Sequence, residues 1–403
     1  MSDKKIITQV KGFQFAGVYC GIKESSKKMD LALIYSTVPA IAVASFTTNL
    51  AKAAPVLVDE IQMKGGKAQA ILINSGNANA CTGDKGLQNA WSMLKQTAQQ
   101  LNISEKLVLI SSTGKIGVQL PLKKISEGIK QITPQLSPLS LEDAAKAILT
   151  TDLFPKFYGV KAKCAGKEYS LIAFSKGAGM IEPAMKHATM LGYFMTDLNI
   201  ARPLLRKIFS RVIDRTFNRI SVDGDMSTND TAILLANGLA ENELLKEMNS
   251  DAEIFEKKLE EVARYLAIKM VEDGEGATKV VEINIEGAKN EKEARLAAYA
   301  VARSELVKTS FFGQDPNWGR VFAAVGYSGA TFDPKQVDIY YGKVKLVSKG
   351  IAVQGKSEAK AHQIMKAPYF TVRVQLNQGN GFFRVWTSDL NYNYVKINAE
   401  YRT

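Results

Sequence analysis

Apolar positions along this chain alternate between two periods. Val281, Ile283 and Ile285 are spaced by two, as are Phe370, Val372, Val374 and Leu376, and then Phe383 and Val385. A period of two gives a strand one apolar face. The last two segments are joined by Asn377-Gln-Gly-Asn-Gly381, which predicts an antiparallel hairpin. Phe255, Leu259, Val262, Leu266 and Met270 instead recur at steps of 4, 3, 4 and 4, behind the capping triplet Asn249-Ser250-Asp251. That spacing predicts an amphipathic helix with a Glu/Lys outer face. A second, Ala-rich helix is expected over about 291–307. Short apolar runs at 68–74 and 107–111 end in turn residues and read as buried strands. Helices and strands are interspersed throughout, so the fold class is mixed α/β. The Gly/Asp-rich stretch 272–276 is the expected hinge between a larger first part and a smaller last part.

At 403 residues the chain can bury more than one core, and 46% apolar with 23% charged residues is ordinary globular usage. No apolar run approaches the roughly 18–20 residues of a membrane span. The start, Met1-Ser-Asp-Lys-Lys-Ile-Ile-Thr8, lacks the apolar core of a signal peptide, so a cytoplasmic protein is expected. Cys20, Cys81 and Cys164 are odd in number and far apart, which fits reduced thiols. With only His187 and His362 beside them there is no zinc-ligand spacing, and no metal is expected. The net charge of +12 leaves a solvated basic surface or an anionic partner. Lys and Arg are dispersed and no nucleic-acid-binding signature interleaves them, so nucleic acid is not expected. Steering of small acidic substrates stays open.

Several stretches carry candidate chemistry. In Lys176-Gly-Ala-Gly-Met-Ile-Glu-Pro-Ala-Met-Lys-His-Ala-Thr-Met-Leu191, the glycines taken alone make a turn and Thr189 is an ordinary helix or strand residue. Asn74-Ser-Gly-Asn-Ala-Asn-Ala-Cys-Thr-Gly83 either points amides into a site or is a structural turn cluster. Ser111-Ser-Thr-Gly-Lys-Ile-Gly117 follows a strand and reads as a loop, although a Thr hydroxyl beside a Gly amide can also donate to a developing alkoxide. Ser221-Val-Asp-Gly-Asp-Met-Ser-Thr-Asn-Asp-Thr231 is dense in carboxylates but lacks the calcium-loop order, so it reads as a hydrogen-bonded loop bracing a site. Glu275, between Gly274 and Gly276, is on its own residues a solvated loop acid.

Together and in order, from Lys11-Gly12-Phe13 through Thr150-Thr151-Asp152 and Lys308-Thr-Ser-Phe-Phe-Gly-Gln-Asp-Pro-Asn-Trp-Gly-Arg320 to Thr403, these stretches resemble the ornithine acetyltransferase family, also called glutamate N-acetyltransferases. The resemblance implies a sandwich of two sheets flanked by helices, of the self-processed N-terminal-nucleophile type, with a smaller C-terminal α/β domain from about residue 280. It implies self-cleavage between Ala188 and Thr189 into chains 1–188 and 189–403, assembled as two α/β pairs. Thr189 would then be the nucleophile, its freed α-amine the base, and Thr113 with Gly114 the oxyanion hole. Thr150, Lys176, Thr189, Glu275, Asn398 and Thr403 would bind substrate, with Glu275 facing an ornithine ammonium. N-acetylornithine and glutamate are the implied partners, with no bound cofactor; members with and without acetyl-coenzyme A as a further donor share these motifs, so that donor stays open. A self-processed aminopeptidase or amidase of the same nucleophile class is the alternative. This chain carries two residues more between Pro183 and Thr189 than the family's usual spacing.

Overall fold

The computed structural model describes residues 6–23, 26–182 and 190–400. Strands are β1 (Phe13–Val18), β2 (Leu31–Phe46), β3 (Lys67–Asn77), β4 (Val108–Lys115), β5 (Lys156–Cys164), β6 (Lys167–Lys176), β7 (Leu191–Thr196), β8 (Ile220–Ser221), β9 (Thr231–Ala236), β10 (Val280–Ala288), β11 (Asp338–Tyr341), β12 (Val344–Ser348), β13 (Ile351–Ala352), β14 (Tyr369–Gln375) and β15 (Gly381–Ser388). Helices are α1 (Ala54–Gln62), α2 (Gly83–Leu101), α3 (Leu122–Ile132), α4 (Leu141–Ala147), α5 (Arg202–Arg215), α6 (Ser250–Glu272), α7 (Glu291–Arg303), α8 (Glu305–Phe312), α9 (Trp318–Gly326), α10 (Ser357–Met365) and α11 (Tyr392–Glu400).

The first sheet runs β4-β3-β2-β9-β7-β6-β5, with β1 also on β2. Its long member β2 pairs with β3 through residues 31–35 and with β9 through 41–46; the β3 register shifts between Tyr35 and Ala40, beside Pro39. Side-chain alternation shows that the sheet doubles over there. Leu171 and Ala173 of β6 join Phe255, Leu259 and Leu266 of α6 in one core. Their neighbours Ile172 and Phe174 join Ile71 and Ile73 of β3 and Leu109 of β4 in a second core. Ala70 and Leu72 of β3 face outward again, onto Met93 and Leu94 of α2 and Ile125 of α3. A period of two on each strand therefore feeds a helix–strand–strand–helix sandwich with an apolar interior between its strand layers. The expected helix behind Asn249 is α6, whose first turn is capped by Asn249 accepting from the Ala252 N–H at 2.9 Å.

The second sheet runs β13-β12-β11-β14-β10-β15-β8, and its strands β10, β14 and β15 bury one face against α7, α8 and α9. Here the pattern misled in two places. β14 and β15 form no hairpin: β10 lies between them, parallel to β14 and antiparallel to β15. The loop after β14 crosses the end of β10, where Gln378 N–H donates to Gly287 at 2.7 Å and a side chain at Gly381 would meet the Asn290 carbonyl at 2.3 Å. Alternation identifies a strand but not its neighbour. The expected 291–307 helix is two helices, broken where Ser304 turns extended and caps α8 through Val307 N–H. Residues 272–276 run between α6 and β10, where the second sheet's strands β10–β15 begin, and Asp273 and Glu275 are buried there.

Candidate active site

Topology brings distant segments to one end of the sandwich. β4 and β6 lie in opposite strand layers, and Lys176 at the end of β6 reaches across to donate to the Thr113 hydroxyl of β4 at 3.3 Å. β10 starts where β15 ends, with Val280 opposite Ser388. The segment before β10 and the one after β15 therefore run together. Asp389 binds Thr278 and Lys279 N–H groups at 2.7 and 2.9 Å, and Asn391 donates to the Gly276 carbonyl at 2.5 Å. That docking carries α11 over Gly276, where a Cβ would sit 2.6 Å from Tyr394 N, and lets Asn398 donate to Glu275 at 2.8 Å.

The result is a cavity of about 260 Å³ lined by Thr113, Gly114, Thr150, Thr151, Lys176, Gly179, Met180, Asp223, Asp225, Asn229, Glu275, Tyr394 and Asn398, among others. It lies just below the roughly 300–1,000 Å³ usual for ligand pockets, a size for a small metabolite. Of the candidate residues, Thr113, Gly114, Thr150, Lys176, Glu275 and Asn398 line this one cavity. Ala188, Thr189 and Thr403 lie outside the described residues. Beside residues 183–189, Glu182 N–H donates to the Asp225 carbonyl at 2.9 Å and Thr231 N–H donates to the Met190 carbonyl at 2.7 Å.

The walls differ in charge: among the described residues, the cation Lys176 and the carboxylates of Asp223, Asp225 and Glu275 line the same space. A ligand carrying a carboxylate at one end and an ammonium at the other matches that polarity. Thr113 accepts from an ammonium, which leaves its own O–H free to donate into the cavity and polarises it for that purpose. Gly114, at φ 130°, lies so close to β3 that a Cβ would meet the Gly76 carbonyl carbon at 2.4 Å. Gly114→Ala is expected to cost about 1–3 kcal/mol by forcing the two strands apart, read as a lower urea midpoint. Gly179 faces the cavity from the other side, and a Cβ there would stand 2.5 Å from the Glu275 carboxylate and displace it.

The carboxylate-rich loop after β8 does brace this site. Asp223 accepts from the Met180 and Ile181 N–H groups at 2.6 and 2.8 Å, and from the Tyr394 hydroxyl at 3.4 Å. Burial pushes the Asp223 carboxyl above its ordinary range, against the pull of those bonds. Asn229 donates to the Ala78 and Ser112 carbonyls at 2.6 and 2.8 Å, tying the loop to β3 and β4. The Asn74–Gly83 stretch turns out largely structural: Asn74, Asn77 and Asn79 spend their amides on Asn77, Val118 and Gly86 carbonyls.

Sequence reasoning gave no role to Asp152, Lys156 and Asp273. Lys156 is buried and bonds Asp152 at 2.7 Å and Asp273 at 2.5 Å. Burial alone would push the Asp152 carboxyl up, but Lys156, Lys176 and its hydrogen bonds outweigh that and hold it well below the usual carboxylate range. For Asp273, burial wins over Lys156 and raises it. The signal for Asp152 was its place in the Thr-Thr-Asp motif, four residues before Lys156. Among the described residues, no cluster of His, Cys, Asp and Glu is suited to hold a metal, and no helix is long and apolar enough to cross a membrane.

Comparison with known proteins places these features in a family. The ArgJ family model matches residues 14–403. The arginine biosynthesis bifunctional protein ArgJ of Caldanaerobacter subterraneus subsp. tengcongensis is 50% identical over 397 residues, covering 98% of this chain and 97% of that protein. The protein of the same name from Geobacter sulfurreducens is 48% identical, with 98% and 100% covered. A crystal structure of the Bacillus halodurans ArgJ protein is 41% identical over 51% of this chain and 96% of that one, with a TM-score of 0.49.

Proposed function

The chain belongs to the ArgJ family of arginine-biosynthetic acyltransferases, and from that premise we propose how its cavity works. The enzyme moves acetyl from N2-acetylornithine to glutamate. A Thr hydroxyl is a weak nucleophile without a base beside it. Self-cleavage between Ala188 and Thr189 supplies that base as the new α-amine, whose unperturbed pKa is about 8. The amine takes the hydroxyl proton, Thr189 Oγ attacks the acetyl carbonyl, and the bond to the ornithine nitrogen breaks as that nitrogen collects the proton. The glutamate amine then attacks the acetyl-Thr189 ester and restores the hydroxyl.

Thr113 O–H and Gly114 N–H donate to the oxyanion in both steps. Lys176 holds the substrate carboxylate and Glu275 the side-chain ammonium. Thr150, Asn398 and Thr403 complete the contacts. Acetyl-coenzyme A serves as a second donor, no cofactor stays bound, and the cut chains work as two α/β pairs in the cytoplasm. One observation carries this reading: residues scattered from 113 to 398 line a single cavity whose charges match an amino acid with a carboxylate and an ammonium end.

Intact mass under denaturing conditions, with an acetyl-transfer assay, tests it. Two species, 1–188 and 189–403, and transfer that requires glutamate are expected. A single uncut chain with full transfer would refute Thr189 as nucleophile. Acetate release without glutamate would favour the aminopeptidase or amidase reading.

A further inference from the structure

One carboxylate outside the cavity is wired to several of its walls. Asp152, with a fully buried side chain, accepts from the Thr150 N–H at 3.0 Å and the Gly177 N–H at 2.7 Å, the residues flanking or forming the Thr150 and Lys176 walls. Its Oδ2 lies 4.0 Å from Lys176 Nζ. Behind it, Lys156 joins it to Asp273, and Asp273 accepts from the Leu153 N–H at 3.1 Å and stands two residues before Glu275. Two buried carboxylates are thus set against the ammoniums of Lys156 and Lys176. Hydration cannot hold these groups in place, so their mutual geometry does.

We infer that Asp152 is a positioning residue for Lys176: it fixes the ammonium at the cavity wall by counter-charge and by the Gly177 N–H bond, with Lys156 and Asp273 as its buttress. The inference rests on the reading that Lys176 holds a substrate carboxylate. A long Lys side chain left without that counter-ion explores several rotamers, and each costs affinity for the carboxylate.

The test is a double-mutant cycle on the processed enzyme, with kcat referred to active sites counted by acetyl-enzyme formation. Asp152→Asn is expected to raise KM for N-acetylornithine and for glutamate by about tenfold, with kcat per site within about threefold, and to add nothing further in a Lys176→Met background. A merely structural Asp152 lowers the number of active sites and leaves KM alone. An unchanged KM, or the same rise with and without Lys176, overturns the inference. Should Asp152→Asn fail to fold, Asp273→Asn, which keeps an acceptor for Leu153, carries the same cycle with a smaller expected rise. Wild-type enzyme that transfers no acetyl removes the premise itself, an outcome distinct from an active wild type with an unmoved KM.

Discussion

Thr189→Ala is expected to yield one uncut chain of 403 residues and to abolish acetyl transfer. The two losses share a cause. Without the hydroxyl there is no attack on the Ala188 carbonyl, so no α-amine is freed. Without hydroxyl or amine there is neither nucleophile nor base. Removing a covalent nucleophile costs on the order of 10⁶ in kcat in a well-studied hydrolase, and what survives reflects binding and the oxyanion donors. Intact mass reads the first loss, and transfer from N-acetylornithine to glutamate the second. Thr189→Ser separates size from chemistry: it keeps a hydroxyl and an amine, and should still be cut. A Thr189→Ala protein that retains transfer would sink the assignment.

Lys156→Met is expected to destabilise the protein by about 3–5 kcal/mol, the usual cost of removing one partner from a buried ion cluster. Asp152 and Asp273 would then face each other in the interior, both side chains having been bonded to Lys156. The pH dependence contributed by Asp152 should change sign. In the wild type, Asp152 is held below its ordinary pKa by Lys156 and Lys176 against the cost of burial, so it stabilises the fold above the unfolded value of 3.8 and loses that contribution only as pH falls through the lower folded value. Without Lys156, burial and the neighbouring carboxylate push the pair upward, so stability should fall as pH rises above the ordinary carboxylate range. Urea midpoints between pH 4.5 and 8 test this, and a variant equally stable across that range would refute it.

What could be read from the sequence was what local spacing encodes. α6 was legible because steps of 4, 3, 4 and 4 fix one helical face and Asn249 marks its start. β3, β4 and β10 were legible as apolar runs or alternations. Most of the site came from motif resemblance, and the fold then gathered Thr113, Gly114, Thr150, Lys176, Glu275 and Asn398 around one space. What escaped was long-range. The doubling of the first sheet at β2 depends on which strands find each other, and alternation is the same whatever the partner. The β14–β15 hairpin failed for that reason. Lys156 looks in sequence like any lysine opening a strand, since its partner Asp273 lies 117 residues away. The buried role of Asp273 was hidden because Gly and Asp serve equally for solvated turns and for buried acceptors.

Strands β9 and β7 sit between β2 and β6 in the first sheet, with β7 paired to β6 from Leu191 opposite Lys176 to Thr196 opposite Leu171. The proposed cut before Thr189 would therefore leave a sheet whose strands differ in ownership: one chain would supply both flanks and the other the middle. Folding has to come first, because only a continuous chain brings that middle to its slot without a search through solution. Once cut, the two chains should migrate as one body until denatured. After dilution from denaturant they would meet as separate molecules with open strand edges that can pair with anything. A protein so cut would be assembled once in its lifetime. Its endurance under heat is then governed by how slowly the sheet opens rather than by an equilibrium to which it could return.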